Sequence, residues 1–320
     1  MPGFAGAQNS RVVALSRRNF AQVQIDAAQY EIEHAYASTR ELCEYAEVDA
    51  VFVASPNAIH LNDVLTAIEH GKHVLCEKPM AMNAGEAEQM VAAARKRGVL
   101  LGVAQCFRFC ESVRRIRESV QRHEIGQVMG IRVDFSFAGV KSARRWLNDS
   151  VLAGGGPVAD VGVHCFDAMR FILADEPVSC SALTVNDEHS GTVEASALLS
   201  LRFARGTLGS SFVSFRAPYR TMVEVTGTEG SIFAQDGLTV DVPVTVELRT
   251  GAGVRKDVAS NVDAYVRQVD AFSAAIEGGS DFPATGEDGL QNQRILDALY
   301  RSARTHEVVE IAPRAKVSVI

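Results

Sequence analysis

A chain of 320 residues, 47% hydrophobic and 22% charged, is long enough for two hydrophobic cores, which excludes the disordered and fibrous classes. With 32 Lys and Arg against 39 Asp and Glu the formal charge is −7, so no global positive field invites nucleic acid or an anionic membrane, and a small-molecule partner is expected. Six cysteines, at 43, 76, 106, 110, 165 and 180, form no close CxxC pair and are too few for a disulfide scaffold. Residues 1–6 lack a basic-then-apolar leader pattern and no apolar run approaches the ~18 residues of a membrane span, so a cytoplasmic location is expected.

Up to residue 105, short β-branched runs alternate with helical ones, the pattern of a parallel sheet covered by helices. Residues 11–15 read as a strand and 20–30 as a helix. Ser38 followed by Glu41 marks a capped helix start. Strands follow at 50–54, 73–76 and 100–104, with helices at 59–69 and 84–97 between them. After Arg108 the pattern changes to a basic helix (112–122), a strand (128–137), a glycine-rich turn with a helix (154–173), and a succession of alternating strands to about 246. Helices at 264–277 and 288–305, a strand at 308–311 and a frayed tail after Pro313 close the chain. The expected architecture is an α/β dinucleotide-binding half (1–108) followed by an α+β domain (109–320) with a large, mostly antiparallel open sheet.

Two segments carry chemistry. Ala54-Ser55-Pro56-Asn57-Ala58-Ile59-His60 and Gly71-Lys72-His73-Val74-Leu75-Cys76-Glu77-Lys78-Pro79 each end a strand in a proline-marked turn, which sets their polar residues at the carboxyl edge of the sheet, where such folds bind ligands. A desolvated lysine there can hold or protonate a reacting oxygen; a strand-end lysine is more often a solvated surface charge, but its Glu-Lys-Pro setting favours the site. In Gly154-Gly155-Gly156-Pro157-Val158-Ala159-Asp160-Val161-Gly162-Val163-His164-Cys165-Phe166-Asp167, one continuous helix would bring Asp160, His164 and Asp167 to one face. A carboxylate one turn from an imidazole can fix its tautomer and raise its basicity, and the glycines would let backbone approach a ligand. The same pattern also describes a capped helix start with a core histidine. Asp160 and His164 supply only two ligands, so no metal site is expected. The arginines at 108, 114, 115, 117 and 122 alternate with Glu111, Glu118 and Glu124, the pattern of a solvated helix face rather than a phosphate track.

Together these residues resemble the Gfo/Idh/MocA oxidoreductase family over nearly the whole chain. The Ala54–Asn57 segment with His60, the Gly71–Pro79 segment, Asp160-x-Gly162-x-His164, the turn Glu224-Val225-Thr226-Gly227-Thr228-Glu229-Gly230-Ser231 and Thr285-Gly286-Glu287-Asp288-Gly289 carry the likeness in order and spacing. The resemblance implies a Rossmann-like first domain and hydride transfer between a nicotinamide cofactor and a sugar, polyol or related hydroxy compound. In that reading Lys78 hydrogen-bonds the reacting oxygen, His164 exchanges the proton and Asp160 orients both. Ser55, Pro56, Asn57, His60, Glu77, Lys78 and Gln105 would lie beside the cofactor. Arg108, Trp146 and Tyr219 would stand on the substrate side, with Trp146 equally readable as a packing anchor.

A dinucleotide fold should open with a strand and Gly-x-Gly-x-x-Gly, and no such loop is present. Residues 1–10 resemble the second half of the family's first helix and 11–15 its second strand, so about 20 to 25 residues of a βα unit are expected to precede Met1. Without that strand, two sheet edges should lie unpaired. After the strand at 11–15, where an acidic residue would hold ribose hydroxyls, stand Ser16, Arg17 and Arg18; they suit a 2′-phosphate, so NADP is preferred over NAD, a solvated basic turn being the other reading. The alternatives are an NAD-dependent glycoside hydrolase of the same fold and a non-catalytic sensor that has lost cofactor binding. An uncovered sheet face implies a homodimer or homotetramer.

Overall fold

A computed structural model of the chain describes residues 2–313; the tail expected to fray lies outside the described residues. The first part runs α1 (Pro2–Ala5), β1 (Ala14–Ser16), α2 (Phe20–Gln29), β2 (His34–Tyr36), α3 (Thr39–Glu44), β3 (Ala50–Val53), α4 (Asn57–Glu69), β4 (His73–Cys76), α5 (Ala84–Arg97) and β5 (Leu101–Val103). All strand pairings are parallel, as the alternation of strands and helices requires. They fall, however, into two separate sheets, β1-β2 and β3-β4-β5. Among the described residues no strand joins β1 to β3, which is where the missing-strand expectation placed the unpaired edges. Phe4 of α1 packs edge-on against the exposed Phe52 of β3, with ring centroids 5.4 Å apart.

Local chemistry explains the element ends. Ser38 caps α3 by accepting the Glu41 amide at 3.2 Å, while the Glu41 carboxylate reaches back to the amide of Ala37 rather than Ser38. Asn83 caps α5 in the same way, and Gly98 ends it in the left-handed conformation. The first strand is shorter and later than residues 11–15, because β1 has β2 as its sole partner over three residue pairs.

The second part comprises α6 (Glu111–Gln121), β6 (Val128–Ser136), α7 (Ser150–Ala153), α8 (Val163–Leu173), β7 (Pro177–Val185), β8 (Ser196–Phe203), β9 (Leu208–Ser214), β10 (Arg220–Gly227), β11 (Gly230–Gln235), β12 (Pro243–Thr250), β13 (Gly253–Ser260), α9 (Ala264–Ile276), α10 (Gly286–Thr305) and β14 (Val309–Glu310). Its strands form one nine-stranded sheet ordered β13-β12-β11-β10-β6-β9-β8-β7-β14, antiparallel except for β6 with β9. Burial alternates along β8 and β12, so one face packs against the helices. The other face leaves Leu183, Leu198, Leu208, Phe212, Phe233 and Val258 exposed.

The helix expected to follow the glycine-rich turn within 154–173 is instead two pieces, preceded by the short α7. Asp149 caps α7, Gly154 ends it with φ of 77°, and a π-helical turn (Val158–Gly162) precedes α8. Along that turn the Asp160 carboxylate takes Lys78, not His164, as its partner.

Candidate active site

Lys78 follows the carboxyl end of β4, and its ammonium crosses to the π-helical turn. There Nζ donates to the Asp160 carboxylate Oδ1 and to the Asp160 carbonyl oxygen, both at 2.7 Å. The side chains of Lys78 and Asp160 are only 12% and 8% exposed, so this is a pair closed off from bulk water rather than a surface contact. An ammonium has three N–H donors, and this pairing leaves one for an oxygen in the cleft. Asp160 Oδ2 accepts no hydrogen bond among the described residues, and the guanidinium of Arg144 stands 3.9 Å from it.

His164 lies beside this pair but is not bonded to it, contrary to the expected carboxylate–imidazole contact, because Asp160 is engaged by Lys78. Its Nδ1 is buried with no hydrogen-bond partner. The ring sits edge-on to Phe107 at 4.6 Å between centroids and stacks on Phe135 at 6.2 Å. Burial in this aromatic slot pushes the imidazole well below its ordinary pKa, and the charges of Lys78 and Arg144 push it further the same way. His164 is therefore neutral at pH 7. Burial raises the Glu77 carboxyl, against the opposing pull of Lys78, whose backbone N–H donates to it at 3.1 Å.

The glycines do not open onto a ligand. A Cβ on Gly155 would fall 1.8 Å from the Tyr300 hydroxyl, and one on Gly156 would fall 2.4 Å from the Glu194 carbonyl oxygen. Glu194 is buried, accepts the amides of Gly156 and Val158 at 3.0 and 2.9 Å, and takes the Tyr300 O–H at 3.0 Å. The close approach is internal: it anchors the start of the π turn and hence Asp160.

Several residues expected at a ligand have structural partners. His60 is fully buried, with Nδ1 3.1 Å from the Pro79 carbonyl and Nε2 2.8 Å from the Ser55 carbonyl, so it clamps the two strand-end turns together. Asn57 is buried and donates to the Ala153 carbonyl at 2.7 Å, tying α4 to α7. Ser55 donates to Asp63, which also takes the Thr39 hydroxyl; Pro56 is the capping residue before α4. Arg108, expected on the substrate side, points into the interior: it is 5% exposed and its guanidinium is divided among Asp167, Asp288 and the Pro283 carbonyl. Asp167 belongs to that network and not to the face of Asp160. Tyr219 is 54% exposed, donates to Thr239 and meets Phe135 edge-on at 5.8 Å, one ring removed from His164. Trp146 is half-buried in a short turn (Arg145–Asn148).

Two features fit a nicotinamide cofactor. Gln105, just beyond β5, is buried with its Nε2 lacking any partner, an orphaned donor at the carboxyl edge beside the Lys78 turn. Ser16 ends β1, and Arg17 and Arg18 follow it at the surface; Arg17 is paired with Asp26, whereas Arg18 is exposed. No glycine-rich strand-to-helix turn is found among the described residues.

Reading from residues missed Arg144, Phe107, Phe135, Glu194 and Tyr300. The first could have been noticed as a cation two residues before Trp146; Glu194 and Tyr300 meet the glycines only through chain folding, 38 or more residues away.

This site, on this fold, is that of an oxidoreductase with an NAD-binding Rossmann fold. Residues 2–105 match the family model described as "Oxidoreductase family, NAD-binding Rossmann fold", and residues 113–233 match the GFO/IDH/MocA C-terminal domain. The chain is 32% identical over 315 residues to 1,5-anhydro-D-fructose reductase of Ensifer adhaerens, covering 97% of this chain and 93% of that protein. It is 31% identical over 307 residues to D-xylose 1-dehydrogenase (NADP(+)) 2 of Haloferax volcanii, covering 95% and 93%. Its structure superposes on aldose-aldose oxidoreductase from Caulobacter crescentus, complexed with glycerol, with a TM-score of 0.90 at 26% identity, covering 97% and 95%. The chain belongs to the Gfo/Idh/MocA oxidoreductase family. Among the described residues, no helix is long and apolar enough to cross a membrane.

Proposed function

We propose that this protein is a cytoplasmic, NADP-preferring dehydrogenase or reductase acting on a CH–OH group of a sugar or polyol. Residues 1–108 would hold the cofactor, 109–320 would supply the substrate side, and copies would pair through the open sheet face. The observation that carries this reading is the closed Lys78–Asp160 pair with one ammonium N–H left over, set beside a neutral, unpartnered imidazole.

The cofactor, when bound, supplies the hydride acceptor or donor. Lys78 donates its remaining N–H to the reacting oxygen, favouring the negative charge that develops as the O–H proton departs. His164, uncharged, accepts that proton on oxidation and returns it on reduction, while Asp160 holds the ammonium and offers Oδ2 to a neighbouring hydroxyl. Oxidation therefore removes one hydride from carbon and one proton from oxygen, leaving a carbonyl. Phe107 and Phe135 keep water from the imidazole. Ser16 and Arg18 would meet the 2′-phosphate, with Arg17 shared with Asp26, and Gln105 would donate to the nicotinamide end.

Two measurements test this. Fluorescence titration should give a Kd for NADPH about tenfold or more below that for NADH, and Arg18→Glu should erase the difference. Equal affinities in the native chain would refute the NADP preference, and an absence of net cofactor reduction with any sugar or polyol would refute the dehydrogenase reading. The second is a pH profile of substrate oxidation. Protonated His164 cannot accept a proton, and its pKa is lowered, so the acid limb of kcat should lie below the 6.5 of an ordinary histidine. A limb above 6.5 would contradict the assigned proton acceptor.

A further inference from the structure

The reading of Lys78, Asp160 and His164 leaves one charged group in the cleft without a task. Arg144 brings its guanidinium to 3.9 Å from Asp160 Oδ2, too far for a hydrogen bond, and its side chain remains 54% exposed. Asp160 is already matched by Lys78 at 2.7 Å. Two cations thus face one carboxylate, and His164 adds no charge because it is held neutral. Glu77 is a second carboxyl within the field of both cations, which oppose the rise that burial gives its pKa. What is left over in the cleft is the set of Arg144 donors, which no side chain accepts within hydrogen-bond distance among the described residues.

The surrounding loop points the same way. Between β6 and the cap of α7, residues 138–148 carry Lys141, Arg144 and Arg145 and no acidic residue. Lys141 also lines an adjoining cavity with His189, Phe215 and Arg216, whose own guanidinium is satisfied by Asp187. Arg144 alone of these reaches the Lys78–Asp160 pair. A guanidinium fork with its donors open, at the rim of a largely desolvated cleft, is suited to grip a planar or tetrahedral oxyanion.

We propose that Arg144 binds an anionic group on the substrate, so that the enzyme acts on a sugar acid or sugar phosphate in preference to the neutral sugar. The inference rests on the functional reading above and narrows its substrate class. In the bound state the anion takes the Arg144 fork while the hydroxyl to be oxidised lies against the third N–H of Lys78, and the two contacts orient the substrate. Neutral sugars lack the first contact and are held less firmly.

The test uses the full chain with NADP and three probes: an aldose, the corresponding uronic acid and the corresponding 6-phosphate. The quantity read is the ratio of KM for the neutral sugar to KM for each charged one, with direct binding of the same three measured calorimetrically. The native chain should favour at least one anionic form by roughly tenfold or more, and Arg144→Leu should lower that ratio about 10- to 100-fold, with Arg144→Lys recovering part of it. Arg145→Leu, on the same turn but out of reach of Asp160, should move the ratio by less than about threefold. A native preference for the neutral sugar, or equal effects at 144 and 145, would overturn the assignment. Calorimetry separates the two layers: Arg144-dependent binding of the anionic probe without cofactor reduction would uphold this inference and reject the dehydrogenase reading, whereas turnover of the neutral sugar with no anionic preference would do the reverse.

Discussion

Lys78→Met should lower kcat by about 10³-fold with the protein still folded. Methionine keeps most of the side-chain volume but removes both the ammonium donated to Asp160 and the N–H left for the substrate oxygen. The loss should fall on kcat more than on KM, because the missing interaction strengthens as charge develops on that oxygen. The same change strips Asp160, 8% exposed, of its close cation. Breaking a buried pair by removing one partner costs about 3–5 kcal/mol, and the low end applies here because Arg144 remains within 3.9 Å. Stability and catalysis can therefore be confused, and a second variant separates them. In Lys78→Met/Asp160→Asn the buried carboxylate at 160 is removed along with its cation, so the melting temperature should recover most of the way while turnover stays at the single-variant level. If Lys78→Met kept native kcat, or if the double variant regained it, the lysine would be a structural strut and not the group that meets substrate.

How much of this was visible in the sequence depends on the range of the interactions involved. Elements set by local pattern agree closely with the structure: β4 and α5 match residue for residue, and Ser38 caps α3. The carboxyl-edge position of Lys78 follows from the strand before it, and its approach to the Asp160 segment from the family resemblance. What local pattern could not supply was register across the fold. A π-helical turn is a one-residue insertion in a helix, invisible to spacing rules built on 3.6 residues per turn, and the partner Asp160 takes, Lys78, lies 82 residues away in sequence. Gly155 and Gly156 read as ligand-facing because the groups that occupy their free space, Tyr300 and Glu194, lie far along the chain. His60 and Asn57 were rightly grouped with the strand-end turn, yet their side chains act inside the protein as clamps. Polar residues near a site divide into those that face the ligand and those that hold the first group in place, and one sequence does not separate the two.

Arg108 shows the same division most clearly, and its replacement should have the larger effect on stability. It lies in a short helical turn (Cys106–Phe109) after β5, and its guanidinium bonds both oxygens of Asp167 on α8, at 2.8 and 2.6 Å, and the Pro283 carbonyl ahead of α10, and lies 3.2 Å from Asp288 in the first turn of α10. Burial opposes its charge, but Asp167 and Asp288 outweigh that and hold its pKa above the ordinary arginine value. Arg170 shares the same carboxylates at 3.6 and 3.4 Å while its Nε is committed to Glu176, and Asn292 donates to Asp167 at 2.8 Å. Arg108→Met removes the cation with the shortest contacts to Asp167 and leaves Arg170 to balance a network built for two. The expected cost is about 3–5 kcal/mol, a fall in melting temperature on the order of 10 °C. Because the guanidinium has no donor turned to the cleft, KM measured well below the melting transition should change by less than about threefold. A large rise in KM with little loss of stability would instead return Arg108 to the substrate side. The preceding residue, Phe107, packs on His164 at 4.6 Å. Loosening the turn should therefore reach the imidazole by way of Phe107, and the acid limb of the pH profile should move up toward 6.5 as water gains access and the desolvation that depresses His164 relaxes.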